Sequence, residues 1–168
     1  MNDAPARDVR FMCDAMLARL ARWLRAAGYD AELGAGGADR DLVERCRAEA
    51  RVLLTRDRHL TRNPGGPLQF LLLPHEGPDE HAMALSSAFG VDWMRDPFSR
   101  CLVDNTPLRN ADEAEVAAAP AEARSLGGPF RACPCCRRVY WPGGHVRRMT
   151  ARLERWRDMA GGIGLRAD

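Results

Sequence analysis

The first part of the chain alternates short apolar runs with segments whose apolar residues fall at helical spacing. The run "FMC" at residues 11–13 is followed by a segment in which apolar residues recur every three or four positions, and Gly28 stands where that segment ends. The pattern predicts a short strand and then an amphipathic helix. The apolar face of this helix is made of Leu17, Leu20, Ala21, Leu24 and Ala27.

The same order of strand and helix repeats downstream. "YDAEL" predicts a second strand before a glycine-rich turn, and a second helix is expected from Asp39 to about Ala50. "RVLLT" and "PLQFLLLP" are continuous apolar runs, typical of parallel strands that are covered on both faces, and "PDEHAMALSSAF" predicts a helix that ends at Gly90. This alternation predicts an α/β three-layer domain with a parallel sheet over residues 9–95.

The pattern changes beyond residue 95. Two cysteine-bearing segments, "RCLVDNTPL" and "FRACPCCRRVYWPGGH", flank one predicted helix rich in alanine and acidic residues, from about Asp112 to Arg124. We expect residues 98–160 to form a small zinc-ribbon-like module that ends in an arginine-rich helix. The apolar stripe of this last helix is Val146, Met149, Leu153 and Trp156. The arginines off that stripe are Arg147, Arg148, Arg152 and Arg155.

Composition and charge narrow the class of protein. The 168 residues are 46% hydrophobic and 29% charged, which excludes a disordered chain. The net charge is only +2, and every basic residue other than histidine is an arginine, whose guanidinium group suits bidentate phosphate contact. On the first helix, a stripe of arginines beside the apolar face is either a phosphate-contacting surface or a solvated one. Its members are Arg19, Arg22 and Arg25.

Two features bear on location. No apolar run approaches the roughly 20 residues that a membrane-spanning helix needs. The first ten residues, "MNDAPARDVR", lack the apolar core of a signal peptide. We therefore expect a cytoplasmic protein without membrane contact.

Four aspartates are candidates for a metal site. Asp14 and Asp57 each follow a predicted strand directly, and ligands of open α/β sheets bind at the carboxyl ends of the strands. Asp39 and Asp41 open the second helix, and this helix together with the strand that follows it returns the chain to that edge. Carboxylates gathered in this way suit Mg²⁺ or Mn²⁺. Simpler explanations are that Asp39 is a helix N-cap, Asp41 complements the helix dipole and Asp57 starts a turn.

The cysteine spacing predicts a zinc site with one substitution. A complete ribbon would read C-x₂-C twice, whereas here Cys101 is followed by Asp104 and Cys133 by Cys136. A carboxylate oxygen is an acceptable zinc ligand, so these four residues could still hold the ion. The sequence leaves open three alternatives: that Cys135 completes the set, that His145 does, or that zinc is lost and the module is held by packing of Tyr140 and Trp141.

Three segments, in this order, resemble the Mut-seven C-terminal family: "CDAMLARLARWLRAAGYDAE", "DRDLVERCRAEARVLLTRDRHL" and "RCLVDN" with "FRACPCCRRVYWPGGH". The resemblance runs from about Val9 to about Trp156. It implies a PIN-like ribonuclease domain with a zinc ribbon, and metal-dependent cleavage of RNA. Matched motif by motif, it implies that the catalytic acids are Asp14, Asp39 and Asp57. One departure is His59, two residues after Asp57, where relatives often carry another aspartate.

These inferences predict a metal-dependent ribonuclease that uses Mg²⁺ or Mn²⁺ together with structural Zn²⁺. The predicted metal ligands are Asp14, Asp39 and Asp57, with Asp41 as an auxiliary acid. The predicted RNA contacts are Arg22, Arg25 and Arg56. Two alternatives stay open: a catalytically weak or inactive RNA- or ribosome-binding module of the same fold, and a zinc-stabilised protein-interaction module.

Overall fold

A four-stranded parallel sheet forms the centre of the molecule in the computed structural model, which describes residues 9–62, 65–75 and 77–164. Its strand order is β2-β1-β3-β4. β2 therefore lies on one side of β1, and β3 and β4 lie on the other. The direction in which the sheet is built reverses between β1 and β3. The strands are β1 (Phe11–Cys13), β2 (Ala31–Leu33), β3 (Val52–Thr55) and β4 (Phe70–Leu72). The first eight residues, on which the expectation of no signal peptide rests, lie outside the described part.

Helices cover both faces of this sheet, as the three-layer prediction requires. In β1, Phe11 and Cys13 belong to a core shared with the first and fourth helices, whereas Met12 packs with residues of the second and third helices. Successive strand residues point to opposite faces, so the fully buried "FMC" needs a layer on each side. The helices are α1 (Ala18–Ala26, after a 3-10 turn at Ala15–Leu17), α2 (Asp39–Ala48), α3 (Arg58–Arg62) and α4 (Pro78–Phe89).

Gly28 ends α1 for a specific reason. Its φ of +94° lies in the left-handed region, and a Cβ atom on it would lie 2.5 Å from the carbonyl oxygen of Asp96. Glycine is therefore required both by the turn and by the close approach of the later segment. The predicted closure of α4 at Gly90, with a φ of +61°, is confirmed as well.

Two elements around β3 differ from the prediction. The strand β4 is not covered on both faces, since Phe70 is 41% exposed and Leu72 is 37% exposed. It is the edge strand of the sheet, where one neighbour is missing. The short helix α3 was not predicted, and its first turn is held by the carboxylate of Asp57, which accepts a hydrogen bond from the backbone N–H of His59 at 2.7 Å.

The single helix predicted from Asp112 to Arg124 is wrong. The structure has two short helices instead, α5 (Glu113–Ala118) and α6 (Ala121–Leu126), which are separated at Pro120. Ala119, with φ −68° and ψ 153°, is extended rather than helical. The ring of a proline disfavours helical geometry in the residue before it, and this ends α5.

The C-terminal part forms a small antiparallel sheet and one long helix. The strands are β5 (Arg109–Asn110), β6 (Arg131–Ala132) and β7 (Val139–Tyr140), and the helix is α7 (Gly144–Gly164). Met149, Leu153 and Trp156 of the predicted stripe of α7 are buried in the same core as α1 and β1, and Val146 packs against it half-buried. Trp156 lies edge-on to Trp23, with ring centroids 4.9 Å apart, and to Trp93 at 4.8 Å. The last helix of the predicted second segment thus packs in the core of the first.

Within the described residues, none of the helices combines the length and the apolar character needed to cross a bilayer.

Candidate metal sites and nucleic-acid surface

Asp14 and Asp57 are connected through Thr55, across the point where the sheet reverses its winding. The hydroxyl of Thr55, a fully buried residue at the end of β3, donates to Asp14 Oδ2 at 2.8 Å. The same hydroxyl accepts a hydrogen bond from the backbone N–H of Asp57 at 2.9 Å. Asp14, which follows β1, is only 9% exposed, so this hydroxyl meets part of its need for a partner.

Asp39 and Asp41 face the same cavity as Asp14. This cavity of about 170 Å³ is bounded by the glycine-rich turn after β2 and by the start of α2. The N-cap of α2 is Ala38, so Asp39 does not have the capping role that was its simpler explanation, and its side chain makes no hydrogen bond to a described residue. The guanidinium of Arg45 also lines the cavity, but it is paired with Glu49 at 2.6 Å. The carboxylates therefore meet no dedicated cation from the described chain.

Asp57 is not part of this convergence. It does not line the cavity, and one of its carboxylate oxygens is used in the first turn of α3. Among the described residues, Asp14, Asp39 and Asp57 do not form a set of three whose ligand atoms all lie within 4.8 Å of one another. The structure thus brings Asp14, Asp39 and Asp41 to one cavity and connects Asp57 to Asp14 only through Thr55.

His59 shares a cavity with one of these acids, Asp39. It lines a second cavity, of about 530 Å³, together with Asp39 and Arg47. Asp39 therefore borders both cavities. The sequence signal that could have placed His59 here is its position two residues after Asp57, at the start of α3.

The three predicted RNA-contacting arginines fall into two groups. Arg22 is exposed on α1, and Arg56 is half-buried, with an Nε atom that is buried without a hydrogen-bond partner in the described structure. Arg25 is 4% exposed. Its guanidinium donates to the carbonyl oxygens of Ala31, Leu102 and Val103, at 2.7, 3.2 and 2.8 Å. The prediction that Arg25 contacts RNA is therefore wrong, because its donors are used inside the protein.

The arginine-rich face of α7 is also partly committed to internal contacts. Arg152 pairs with Asp79 on α4 at 2.7 Å, and Arg155 pairs with the same carboxylate at 3.1 Å. Trp156 Nε1 donates to Asp79 as well, at 2.7 Å. These contacts hold α7 against α4, so two of its four noted arginines are occupied within the protein rather than offered to a partner.

The second candidate centre is formed by Cys101, Asp104, Cys133 and Cys136. One ligand atom from each of these four residues lies within 4.8 Å of every other, which is the arrangement of a four-ligand metal site. Cys133 Sγ donates to Asp104 Oδ2 at 3.3 Å, and the sulfurs of Cys101 and Cys136 are 3.5 Å apart. Neither Cys135 nor His145 belongs to this set, and among the described residues Asp104 is the fourth member.

The two loops that carry these ligands have equivalent backbones. In the first, the N–H of Asn105 donates to the carbonyl of Cys101 at 3.0 Å, and Asn105 has a φ of +68°. In the second, the N–H of Arg137 donates to the carbonyl of Cys133 at 3.0 Å, and Arg137 has a φ of +63°. Asp104 thus occupies in the first loop the position that Cys136 occupies in the second.

The acidities of this cluster reflect burial and the close approach of its ligand groups. Burial alone would raise the pKa of Asp104, but hydrogen bonds from Thr106, Cys101 and Cys136 hold that pKa well below its usual range. The pKa of the Cys136 thiol is raised to about 12, first by desolvation and then by its neighbours Cys101, Asp104 and Cys133. A bound cation would relieve this crowding and favour the thiolate forms.

Comparison with known protein families identifies the chain. A model described as the Mut7-C RNAse domain matches residues 9–153, which include the parallel sheet, all four aspartates and the cysteine cluster. The chain belongs to the Mut7-C RNAse domain family. The resemblance noted in the sequence is thereby confirmed. No curated protein and no solved structure matches the chain significantly.

Membership of the Mut7-C RNAse domain family points to a ribonuclease-like function. The cysteine-rich cluster of this Mut7-C chain can hold a metal such as zinc.

Proposed function

We propose that this protein is a metal-dependent ribonuclease that hydrolyses RNA phosphodiester bonds. The observation that carries the proposal is the cavity shared by Asp14, Asp39 and Asp41 at the carboxyl edge of a parallel sheet, in a chain of an RNAse domain family. The edge at which the winding of such a sheet reverses is the usual ligand site of open α/β proteins.

The donor set fits Mg²⁺ or Mn²⁺. All the available donors are carboxylate oxygens, which hard divalent cations prefer, and no basic group of the described chain neutralises Asp39. Mg²⁺ is commonly held by only one or two carboxylates and keeps several water molecules, so the wider spread of these acids is compatible with it. In this proposal Asp14 and Asp39 are the main ligands and Asp41 assists, while Asp57, which does not line their cavity, supplies its remaining carboxylate oxygen from outside it.

A divalent ion held there would polarise the phosphodiester and lower the pKa of the attacking water. The residues of the chain supply positioning. Thr55 fixes the carboxylate of Asp14, and the N–H of His59 fixes one oxygen of Asp57 and leaves the other available. Arg22 and Arg56 would contact the phosphates. Attack of water on phosphorus breaks the bond to the leaving oxygen and gives one phosphate end and one hydroxyl end.

The test is cleavage of a mixed RNA pool by the purified protein with and without Mn²⁺, beside Asp14→Asn and a matched control, Asp158→Asn. Asp158 is an exposed aspartate on α7 whose partner is Arg157. We expect the wild-type protein and Asp158→Asn to cleave only with Mn²⁺, and Asp14→Asn to lose at least about 99% of that activity. Full activity in a folded Asp14→Asn protein would contradict the proposal.

A second candidate is an RNA- or ribosome-binding module that keeps the fold without efficient turnover. The observation that favours it is that one oxygen of Asp57 is engaged in the first turn of α3 and that Asp57 does not line the cavity of the other acids. This candidate predicts RNA binding that weakens with salt and no cleavage in Mn²⁺.

We also propose that Cys101, Asp104, Cys133 and Cys136 hold a structural Zn²⁺. The ligand chemistry supports it, since thiolate sulfur and carboxylate oxygen are both accepted zinc ligands and the four protein groups lie within 4.8 Å of one another. A closed set leaves no open position for substrate, so the ion would stabilise the fold rather than take part in cleavage.

A further inference from the structure

Three cavities meet along α1 and join the cysteine-bearing loops to the edge of the sheet. The first, about 510 Å³, lies against β7 and the start of α7, and it shares Arg22 and His145 with the second, of about 440 Å³. The second shares Arg19 and Trp23 with the third, of about 150 Å³. Because each shares two lining residues with the next, they form one continuous groove. We call it the α1 groove, lined among others by Arg19, Arg22, Trp23, Arg56, Arg138 and Trp141.

The described residues that line the α1 groove include arginines but no compensating acids. Among the described residues that line its three cavities there is no aspartate or glutamate. The side chains of Arg19, Arg22, Arg56 and Arg138 form no hydrogen bond or ion pair with another described residue. Arg25 and Arg152, in contrast, are bonded inside the protein. The groove therefore collects arginines whose donors are not used by the fold, which is the pattern expected for binding an anionic chain.

Aromatic rings line the same groove as these arginines. Trp23, Tyr140 and Trp141 are all half-buried and line the groove, and Trp141 is stacked on Phe130 with the ring centroids 6.4 Å apart. Rings supported in this way are platforms on which unpaired bases stack, while arginines contact the phosphates between them. A duplex keeps its bases stacked on one another, so this combination selects single strands over duplexes.

The far end of the groove is lined by residues that stand close to two of the proposed catalytic acids in the chain. Its third cavity is lined by Arg56, which directly precedes Asp57, and by Met16, two residues after Asp14. A strand that follows the groove from the cysteine-bearing loops would therefore arrive at the edge of the sheet.

We propose that the α1 groove binds single-stranded RNA and leads it to the aspartates, an inference that rests on the proposed ribonuclease function. We therefore expect the affinity for RNA to depend mainly on contacts made by α1 and by the segment around β7. The exposed arginines of α7 that do not line the groove contribute little.

The test measures binding separately from cleavage. The binding of a fluorescently labelled single strand of about 12 nucleotides is followed by anisotropy at low salt without Mg²⁺ or Mn²⁺, so that the RNA stays intact. Arg22→Glu and Trp141→Ala are compared with Arg124→Glu, which makes the same charge change at an exposed arginine on α6 outside the groove. Trp141→Phe keeps an aromatic ring, and thermal unfolding checks that each variant is folded.

We expect Arg22→Glu to weaken binding at least about tenfold and Arg124→Glu by less than about twofold. Trp141→Phe should retain most of the affinity that Trp141→Ala loses, and a duplex of equal length should bind at least about tenfold more weakly. Equal losses in Arg22→Glu and Arg124→Glu would overturn the proposal. So would equal affinity for the duplex, or equally tight binding of a polyglutamate peptide, which would make the groove a protein-binding surface.

The two proposals can fail independently. If binding depends on the groove but no RNA is cleaved in Mn²⁺, the groove proposal stands and the ribonuclease proposal is wrong. If the protein cleaves RNA in Mn²⁺ and Arg22→Glu does not weaken this cleavage, the groove proposal is wrong and the ribonuclease proposal stands.

Discussion

At the scale of single residues, Thr55 connects the two strands that carry the candidate acids. Its one hydroxyl donates to Asp14 and accepts from the backbone of Asp57, so it sets the position of both. A valine of the same shape would leave a buried carboxylate without its donor and a backbone N–H without its acceptor.

We therefore expect Thr55→Val to lower the free energy of unfolding by about 1–3 kcal/mol and to reduce Mn²⁺-dependent cleavage. Thr55→Ser, which keeps the hydroxyl, should retain most of both. Urea denaturation and the cleavage assay measure the two effects. If the valine variant were as stable and as active as the serine variant, the hydrogen bonds of the Thr55 hydroxyl would contribute neither to stability nor to cleavage.

Arg25 and Arg22 provide a matched pair on one helix. Arg25→Leu removes the donors of three carbonyl groups from a buried site, so we expect it to destabilise the fold by at least about 2 kcal/mol. Arg22→Leu, at an exposed position, should change stability by no more than about 0.5 kcal/mol. Thermal denaturation of both variants tests this contrast, and equal stabilities would contradict the assignment of Arg25 to the interior.

At the scale of elements, the equivalence of the two ligand loops makes a prediction about position 104. Zinc takes cysteine as thiolate, and the Cys136 thiol, with its pKa raised to about 12, must release a proton on binding. Zinc affinity should therefore rise with pH. Asp104, whose pKa is held low, releases no proton at neutral pH.

Asp104→Cys should bind zinc at least about tenfold more tightly near pH 8 and should release about one additional proton. The logarithm of its affinity would then rise more steeply with pH than that of the wild type. Competition with a chromogenic chelator at several pH values measures both quantities. Cys135→Ser, outside the cluster, should leave both unchanged. An unaltered pH slope in Asp104→Cys would exclude position 104 from the ligand set.

The elements also indicate how far the sequence could be interpreted. The strands that precede Asp14 and Asp57 could be predicted, because a buried apolar run followed by a polar residue is a local signal. The exposure of β4 could not, since an apolar run does not reveal whether a neighbouring strand is present. The spacing of Arg25 matched that of Arg22. What distinguishes Arg25 is its bonding to the carbonyl groups of Ala31, Leu102 and Val103, and the last two come from 77 and 78 residues further along the chain.

At the scale of the whole molecule, Asp79 is the contact that joins α7 to the α/β layers. Its pKa is lowered by the hydrogen bond from Trp156 and by Arg152 and Arg155, against the opposing effect of desolvation. A carboxylate with a lowered folded-state pKa stabilises the fold above its ordinary pKa of 3.8, and this contribution is lost as the pH falls through the folded-state value.

Asp79→Asn should therefore reduce the free energy of unfolding by about 1–2 kcal/mol at neutral pH. The difference from the wild type should stay constant down to about pH 5 and shrink on further acidification. Denaturant unfolding across this range measures it, with Asp158→Asn as a control that should show no change. If the stability difference between Asp79→Asn and the wild type grew on acidification, the pKa of Asp79 would be raised rather than lowered by folding, which would contradict this prediction.

The packing of α7 also has an optical consequence. Three of the four tryptophans, Trp23, Trp93 and Trp156, stand edge-on in one group, and each comes from a different segment of the chain. Indole rings this close couple their electronic transitions, so their near-ultraviolet circular dichroism reports whether α7 is docked. Trp141 is the fourth; it lines the α1 groove without joining this group, whereas Trp23 belongs to the group and also lines the groove. One spectrum can thus follow the assembly of the core, while the emission of Trp141 follows what enters the groove.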